Sequence, residues 1–507
     1  MKKFQARKQI KRLFSSRLFI TTLLILLQLL LLFVLADLLP HTFLRGLSII
    51  AVFWILSRQD DPSYKISWIV LIFLFPLAGC LFYLIFGNKR FGLNMRKQLA
   101  AFSEARSDFV REKNSLHHLA EQDPAGARLA AYLQTAAAAP VYEHSAAEYF
   151  PSGEAFFQRL IPELEQARHF ILLEYFIIGE GQLWSSVLEI LEQKAAEGVE
   201  IRILYDDAGC LATLPEQFEE SMAEKGICAA VFNPLQPRLN TFLNYRDHRK
   251  ICVIDGHIAF TGGANIADEY VNLKKKHGHW KDTGIMVKGP AAENLTRLFL
   301  QLWRFSTGET LEPECYVSSW KQERAVGFVQ PFGSDPMEKV HSAKGAYLQL
   351  IQQASSSLWI ATPYLILDDE TRGSLQAAAR SGVDVRILTP HVPDKWYVHA
   401  VTRSFYQPLL ESGVRIFEYT PGFIHAKMVL ADEDKAIVGT TNLDYRSFYL
   451  QFECSVALYG CPAIGDIRQD FRNTLTLCQE ITLEQIRSTP LPIRILRTLL
   501  RNFAPLL

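Results

Sequence analysis

The sequence predicts an α/β protein built of two duplicated domains. Each is a mixed β-sheet flanked by helices, the two face each other, and N-terminal transmembrane helices precede them. Three observations predict this. Strand-like and helix-like segments alternate from about residue 150 onward. The same order of segments returns about 180 residues later. The apolar residues crowd into the first ninety positions. Over the whole chain, 507 residues carry 53 Lys+Arg against 53 Asp+Glu, with 49% hydrophobic and 21% charged. That balance allows a large core and argues against disorder and against a broadly basic nucleic-acid binder. The eight cysteines are scattered, and no two form a C-x-x-C pair. This argues against a disulfide framework or a structural zinc, and for a reduced setting.

Residues 1–90 read as a membrane anchor with hydrophobic segments at 18–38, 44–57 and 66–86. Residues 18–36 hold no charge and are long enough to cross a bilayer core at about 20 residues per span. Residues 66–87 are a second uncharged run, with Trp68 and Tyr83 as interfacial anchors. The middle run, 46–57, is shorter. A cleavable signal peptide fits poorly, because the first run is too long and Asp37-Leu-Leu-Pro40 follows it rather than small residues. Lys2, Lys3, Arg7, Lys8, Lys11, Arg12 and Arg17 place the N-terminal tail in the cytoplasm, and Lys89, Arg90, Arg96 and Lys97 favour the same side. Two cytoplasmic ends require an even number of spans. The expectation is that 18–38 and 66–86 span while the middle run is re-entrant or interfacial. Three spans, placing the large domains outside, stay open.

Residues 91–145 read as a helical connector, with 99–128 helical in composition and Pro140 closing an alanine run. The first domain is expected at 150–310. It opens with a buried-strand run at 170–177, then helical periodicity at 183–196, then Gly198-Val-Glu-Ile-Arg-Ile-Leu-Tyr-Asp206. The second is expected at 320–485, where Gly382-Val-Asp-Val-Arg-Ile-Leu-Thr-Pro390 matches the Gly198 segment and Gly413 to Pro421 matches Gly226 to Pro234. A repeat this long means two copies of one domain rather than a solenoid. Residues 486–507 form a basic amphipathic tail.

The polar part of the repeat carries the chemistry. The first half has His248, Lys250, Asp255, Gly262 and Asn265; the second has His425, Lys427, Asp432, Gly439 and Asn442. The four spacings from His agree in both copies. A His and a Lys two apart on a strand share a face. Glycine at the following turn allows close backbone approach, and an Asn amide can donate to an oxyanion. An imidazole, an ammonium and an amide on one surface suit a phosphate. Two such surfaces facing each other would let one His attack phosphorus while the other protonates the leaving alcohol and deprotonates the incoming one. No metal or other cofactor is called for, because the lysines carry the neutralising charge. A lone H-x-K carries almost no information; its matched recurrence inside a duplicated fold does. Asp255 and Asp432 close the motifs and stand with the catalytic set, although their place past the strand favours a structural role.

At these residues the chain resembles the phospholipase D superfamily, defined by two H-x-K-x4-D motifs. Trp280-Lys-Asp-Thr283, Ala361-Thr-Pro-Tyr364 and Asn442-Leu-Asp-Tyr-Arg-Ser-Phe448 are similar to bacterial cardiolipin synthases, as is the membrane end. The resemblance spans about 150–485. It implies that one phosphatidylglycerol gives its phosphatidyl group to a histidine, glycerol leaves, and a second phosphatidylglycerol accepts to give cardiolipin. It implies that Asp282 and Glu453 each hydrogen-bond a catalytic His, and that Asn265 and Asn442 bind the substrate phosphate. Symmetric motifs do not say which His is the nucleophile; the superfamily analogy selects His248, with His425 as acid and base. Thr440 stands where the first motif has Gly263, Lys281 where Arg is expected, and Asp247 puts an acid beside His248. The partners implied are phosphatidylglycerol and an anionic bilayer, not nucleic acid, and the sequence defines no protein partner. The expected location is the cell membrane, with the catalytic domains on the cytoplasmic side. A phospholipase D-like hydrolase, or a transferase with another alcohol acceptor, is the alternative enzyme. A nuclease is disfavoured by zero net charge and the membrane segments, and an inactive scaffold by the two intact motifs. Lys274–276 could attract anionic headgroups or be a solvated loop. In the tail, Ile493, Leu496, Leu500 and Phe503 recur at helical spacing beside Arg494, Arg497 and Arg501, to lie on a bilayer or to pack on the enzyme.

Overall fold

The computed structural model describes residues 40–87, 114–235, 244–317, 323–338 and 340–504, with isolated helical positions between 23 and 34. The hydrophobic segment expected at 18–38 therefore lies essentially outside the described residues, as do 91–113 of the connector.

The first half contributes strands β1 (Ala146–Phe150), β2 (Phe170–Tyr175), β3 (Glu200–Asp206), β4 (Cys228–Phe232), β5 (Arg246–Asp247), β6 (Lys250–Ile254), β7 (Ile258–Gly262), β8 (His279–Lys281) and β9 (Gly284–Lys288). The second contributes β10 (Phe328–Ser334), β11 (Ser357–Ala361), β12 (Leu365–Ile366), β13 (Asp384–Pro390), β14 (Arg415–Tyr419), β15 (Gly422–Ile424), β16 (Met428–Ala431), β17 (Lys435–Gly439), β18 (Leu443–Asp444), β19 (Gln451–Tyr459) and β20 (Cys478–Ile481). One sheet runs β1-β9-β7-β6-β2-β3-β4; the other runs β10-β19-β17-β16-β11-β13-β14-β20. The first seven positions correspond one to one, so the duplication holds at the level of sheet order. In both copies three consecutive strands are parallel, β2-β3-β4 and β11-β13-β14, and the rest antiparallel. Parallel strands covered on both faces should be continuously apolar, and all six residues of β2 are buried. The glycines that open the matched segments, Gly198 and Gly382, take φ of 89° and 94°. Each is the left-handed residue that ends a helix just before a parallel strand.

The first strand starts at Ala146, slightly ahead of the expected boundary. The connector is not a free spacer. Its helices Ser115–Gln122 and Pro124–Ala136 insert Leu119, Leu129, Ala130 and Leu133 into the core of the second half. Gln330 donates to the carbonyls of Ala130 and Ala139, at 3.0 and 2.7 Å, and pins the connector there. The halves share cores as well. Tyr149, Ile285 and Val287 pack with Ile424, Met428 and Val456.

The N-terminal region leaves the expected membrane spans unconfirmed. No helix among the described residues is long and apolar enough to cross a membrane. The run expected to span at 66–86 is broken into helices Pro62–Leu74 and Pro76–Phe82 and a π-turn, Tyr83–Gly87. Pro76 lacks the N–H that would continue the helix and pushes Phe75 out of the helical region. The pieces fold back on each other. The Trp68 and Tyr83 rings lie 5.5 Å apart, whereas fifteen residues of straight helix would separate them by about 22 Å. Gly79 permits the crossing, since a Cβ there would come within 2.7 Å of the Ile72 Cα. The shorter middle run is in turn a continuous helix, His41–Leu56.

Candidate active site

The two halves meet through two short parallel ladders. β5 of the first half pairs with β19 of the second, and β15 of the second with β8 of the first. In the first ladder the last registered pair is Asp247 with Phe452; His248 and Glu453 come next. In the other it is Ile424 with Lys281; His425 and Asp282 come next. The ladder hydrogen bonds continue one step, from His248 N to Phe452 O at 2.9 Å and from His425 N to Lys281 O at 2.7 Å. Each histidine is thereby delivered against a carboxylate of the opposite half. His248 Nδ1 lies 3.0 and 3.1 Å from the two oxygens of Glu453. His425 Nδ1 lies 2.7 Å from Asp282 Oδ2.

Backbone carbonyls fold the lysines inward. Lys250 Nζ donates to His248 O at 2.5 Å, and Lys427 Nζ likewise donates to His425 O. All six groups are buried and act on one another electrostatically: His248 feels Lys427 and His425, and His425 feels Lys250. Burial, then Lys250, Lys427 and His425, hold His248 well below the ordinary imidazole range. Burial and Lys427 push His425 down to about 4, opposed by Asp282. Both rings are therefore neutral at pH 7. Burial pushes Lys250 down to about 8 and Lys427 to about 7. Burial pushes Glu453 up to about 8 against the pull of Lys250. For Asp282, burial acts upward but His425 and Lys427 outweigh it, so its carboxyl stays below the usual range.

The asparagines separate. Asn265 Oδ1 accepts from Ile177 N at 2.9 Å, and its Nδ2 donates to the Tyr270 hydroxyl at 2.8 Å, so that amide is committed to the scaffold. Asn442 instead has its side-chain oxygen buried without a partner. Asp255 and Asp432 stand apart from the cluster, five residues along the chain from the lysines and about 16 Å away at strand rise. Both take left-handed backbone, φ 49° and 50°, which Asp tolerates in turns. Asp255 accepts from Arg168, His169 and Phe170 N, and Asp432 from Ser355, Ser356 and Ser357 N. Each ties the start of a central strand. Both carboxylates, expected with the catalytic set, are taken up by these backbone N–H groups.

The two departures from the repeat also find reasons. Gly263 lies against Asp282; a Cβ there would sit 2.0 Å from Oδ1. At the equivalent point Thr440 instead donates its hydroxyl to Glu453 Oε2, while the Ser447 hydroxyl donates to Oε1 at 2.7 Å. Lys281 makes a buried ion pair with Asp470, 2.8 Å away across the domain boundary.

Sequence reasoning missed these hydroxyl donors, although the offsets of Thr440 and Ser447 from Asn442 were visible. It also missed the aromatic wall of Tyr270, Trp280 and Phe423 around His425. Asp247, noted beside His248, accepts from Arg249 N at 3.1 Å and lies near the buried Glu174 and Lys250. Burial, then the Asp247 charge, push Glu174 far above the carboxylate range, and burial pushes Asp247 up to about 6. The Lys274–276 segment is an exposed bend. Among the described residues no group of three or more His, Cys, Asp or Glu could hold a metal ion.

Two duplicated sheets with a His–Lys pair apiece, set against each other, define a phospholipase D-like two-domain protein. A family model described as "Cardiolipin synthase, PLD-like domain" matches residues 160–303 and 347–475, and one described as "Phospholipase_D-nuclease N-terminal" matches 46–88. A cardiolipin synthase of Geobacillus sp. (strain WCH70) is 36% identical over 469 residues, 91% of this chain and 92% of its own. Cardiolipin synthase 2 of Bacillus anthracis is 36% identical over 460 residues, 89% of this chain and 88% of its own. The chain belongs to this family, the cardiolipin synthases of the phospholipase D type. The crystal structure of phosphatidylserine synthase from Haemophilus influenzae Rd KW20 shares the fold, with a TM-score of 0.57 at 16% identity, covering 75% of this chain and 97% of that one.

Proposed function

We propose that this site makes cardiolipin from two molecules of phosphatidylglycerol. The observation that carries the reading is the crosswise pairing of both histidines with buried carboxylates beside two inward-turned lysines. Neutral His248 attacks the phosphorus of the first lipid through Nε2, with its Nδ1 proton held by Glu453. The bond from phosphorus to the headgroup glycerol oxygen breaks as the N–P bond forms. His425 takes up a proton at Nε2 as the anionic phosphate enters beside it and the ionised Asp282, and as an imidazolium gives that proton to the departing glycerol. It then takes the proton of the second lipid's terminal hydroxyl, whose oxygen attacks phosphorus and releases His248. Lys250 and Lys427 neutralise the phosphate oxygens, and the phosphate restores the ammonium form that burial opposes. Asn442 donates to the same oxygens. The ionised Asp282 beside Nδ1 supports His425 as the acid, which leaves His248 as the nucleophile.

The N-terminal segment serves as the membrane anchor. Phe43, Ile49, Ile50, Phe53, Phe73 and Leu74 are exposed, as lipid-facing side chains would be. Asp61, which caps the hairpin's first helix, accepts from the Tyr445 hydroxyl at 2.9 Å. The turn that starts the hairpin is thus held on the catalytic side, and the fold-back returns Gly87 to Trp68 on that side. The hairpin is then re-entrant. The basic residues of the N-terminal tail and of 89–97 favour the cytoplasm, which supports placing the catalytic halves on that side. Purified protein in phosphatidylglycerol vesicles should yield cardiolipin and glycerol in equal amounts. Phosphatidic acid without cardiolipin would replace this reading with a hydrolase.

A further inference from the structure

The C-terminal helix, Leu491–Asn502, is mounted the wrong way round for water. An amphipathic helix on a soluble protein turns its apolar stripe toward the core and its charges outward. Here the inward face is Arg497, Leu500, Arg501 and Ala504, at helical spacing. The Arg501 guanidinium lies 4.8 Å over the Phe405 ring. Arg497 lies among Arg403, Tyr406 and Glu418, and Ala504 is buried. The outward arc is Leu491, Ile495 and Leu499, which are 65%, 51% and 55% exposed, flanked by exposed Leu496. No residue of this helix is buried.

Two features say what covers the arc. The helix is joined to the N-terminal hairpin: the Ser67 hydroxyl donates to Asn502 O at 2.5 Å, and next to Ser67 the exposed Ile66 continues the apolar surface. At the neighbouring helix Trp396–Ser404, against which it packs, Trp396 is 65% exposed, an aromatic suited to the headgroup level. Arg494 stands exposed at the margin of the arc, where it can reach anionic headgroups while the leucines enter the acyl region. We infer that this helix lies in the plane of the bilayer, its Leu491–Ile495–Leu499 face immersed in lipid. It would form, with the hairpin, one continuous membrane-facing surface that holds the second catalytic half at the interface. This rests on the hairpin's being the anchor.

The test is photo-crosslinking of the full chain in phosphatidylglycerol-containing vesicles, with benzoylphenylalanine placed singly at Ile495, Leu499, Phe73 or the exposed Glu224 of the first half. Adducts are read as the added mass of one phospholipid on the labelled fragment. Positions 495 and 499 should give lipid adducts at a yield similar to 73 and at least about tenfold above 224, as immersion requires. Lipid adducts at 73 with only background at 495 and 499 would overturn this inference and leave the anchor standing. Crosslinks from 495 or 499 to a second copy of the chain would overturn it in favour of a dimer contact. Background at all four positions would overturn the anchor reading and this inference together.

Discussion

Replacing Asp282 by Asn isolates what the crosswise carboxylate does. The side chain keeps its size, and an amide oxygen can still accept the Nδ1 proton of His425, so the ring should stay in place. What goes is the negative charge 2.7 Å from Nδ1, in a site where both partners are buried. That charge opposes the pull of burial and Lys427 on His425. Without it the imidazolium that must protonate glycerol becomes scarcer. A hydrogen bond to a charged group is worth roughly 1.5–3 kcal/mol, and each 1.36 kcal/mol is tenfold in rate, so kcat should fall about 10- to 150-fold. KM should change little, because Asp282 does not touch the lipid. The assay is cardiolipin formation in phosphatidylglycerol vesicles, with the thermal unfolding midpoint measured in parallel. The alkaline limb of the kcat profile, where the imidazolium is lost, should also move to lower pH, because the folded imidazolium loses its counter-charge. A variant that unfolds at the wild-type temperature, keeps kcat within about threefold and leaves the profile unmoved would refute the assignment of Asp282 to the proton-transferring histidine.

Four further outcomes follow from the same geometry. In the free enzyme Lys250 and Lys427 are cations whose pKa is lowered to about 8 and about 7. Their charge is present below those values and lost above them, so kcat/KM should decline as pH rises through 7 to 8, while kcat declines only at higher pH because bound phosphate restores the charge. Asn442→Ala should raise KM or lower kcat with little change in unfolding temperature. Asn265→Ala should mainly destabilise, by about 1–3 kcal/mol for the buried partners it leaves unpaired, read by denaturant titration. Lys281→Met should cost about 3–5 kcal/mol by stranding the buried Asp470, and adding Asp470→Leu should recover part of that loss.

What could be read in the sequence was whatever is written locally. His248 and Lys250, or His425 and Lys427, sit two apart on one strand, and their spacing survives duplication. The sheet repeat was visible for the same reason, since Gly198 and Gly382 each mark a helix end before an apolar strand. Which carboxylate meets which histidine depends on β5 finding β19 and β15 finding β8, pairings between segments up to about 200 residues apart that no local pattern specifies. Hydropathy did not anticipate the break at 66–86, because it measures the length of an uncharged run and not its path. Pro76 and Gly79 were inside that run and are the residues that fold it. The tail shows a third limit. Periodicity reveals two faces of a helix, but which face meets protein depends on what lies on the other side. Leu491–Asn502 turned Arg497 and Arg501 inward, where Phe405 and Glu418 lie.

The crosswise wiring has a consequence for how such a site can be assembled. A first half alone would hold His248, Lys250 and Asp282, but its carboxylate would have no imidazole to support and its histidine no carboxylate to hold the Nδ1 proton. The same deficit applies in mirror image to the second half. The chemistry therefore appears only when both ladders form, and the ladders place each His–carboxylate pair one residue beyond their last register. The buried Lys281–Asp470 pair and the shared apolar core then work against any slippage, since a one-residue shift in β8 or β19 would carry Asp282 or Glu453 to the opposite face of its strand. Closure of the two halves and activation of the two histidines are in this sense one event. The Thr440 and Ser447 hydroxyls, which converge on Glu453 from either side of Asn442 in the chain, extend that coupling to the group that would bind the phosphate.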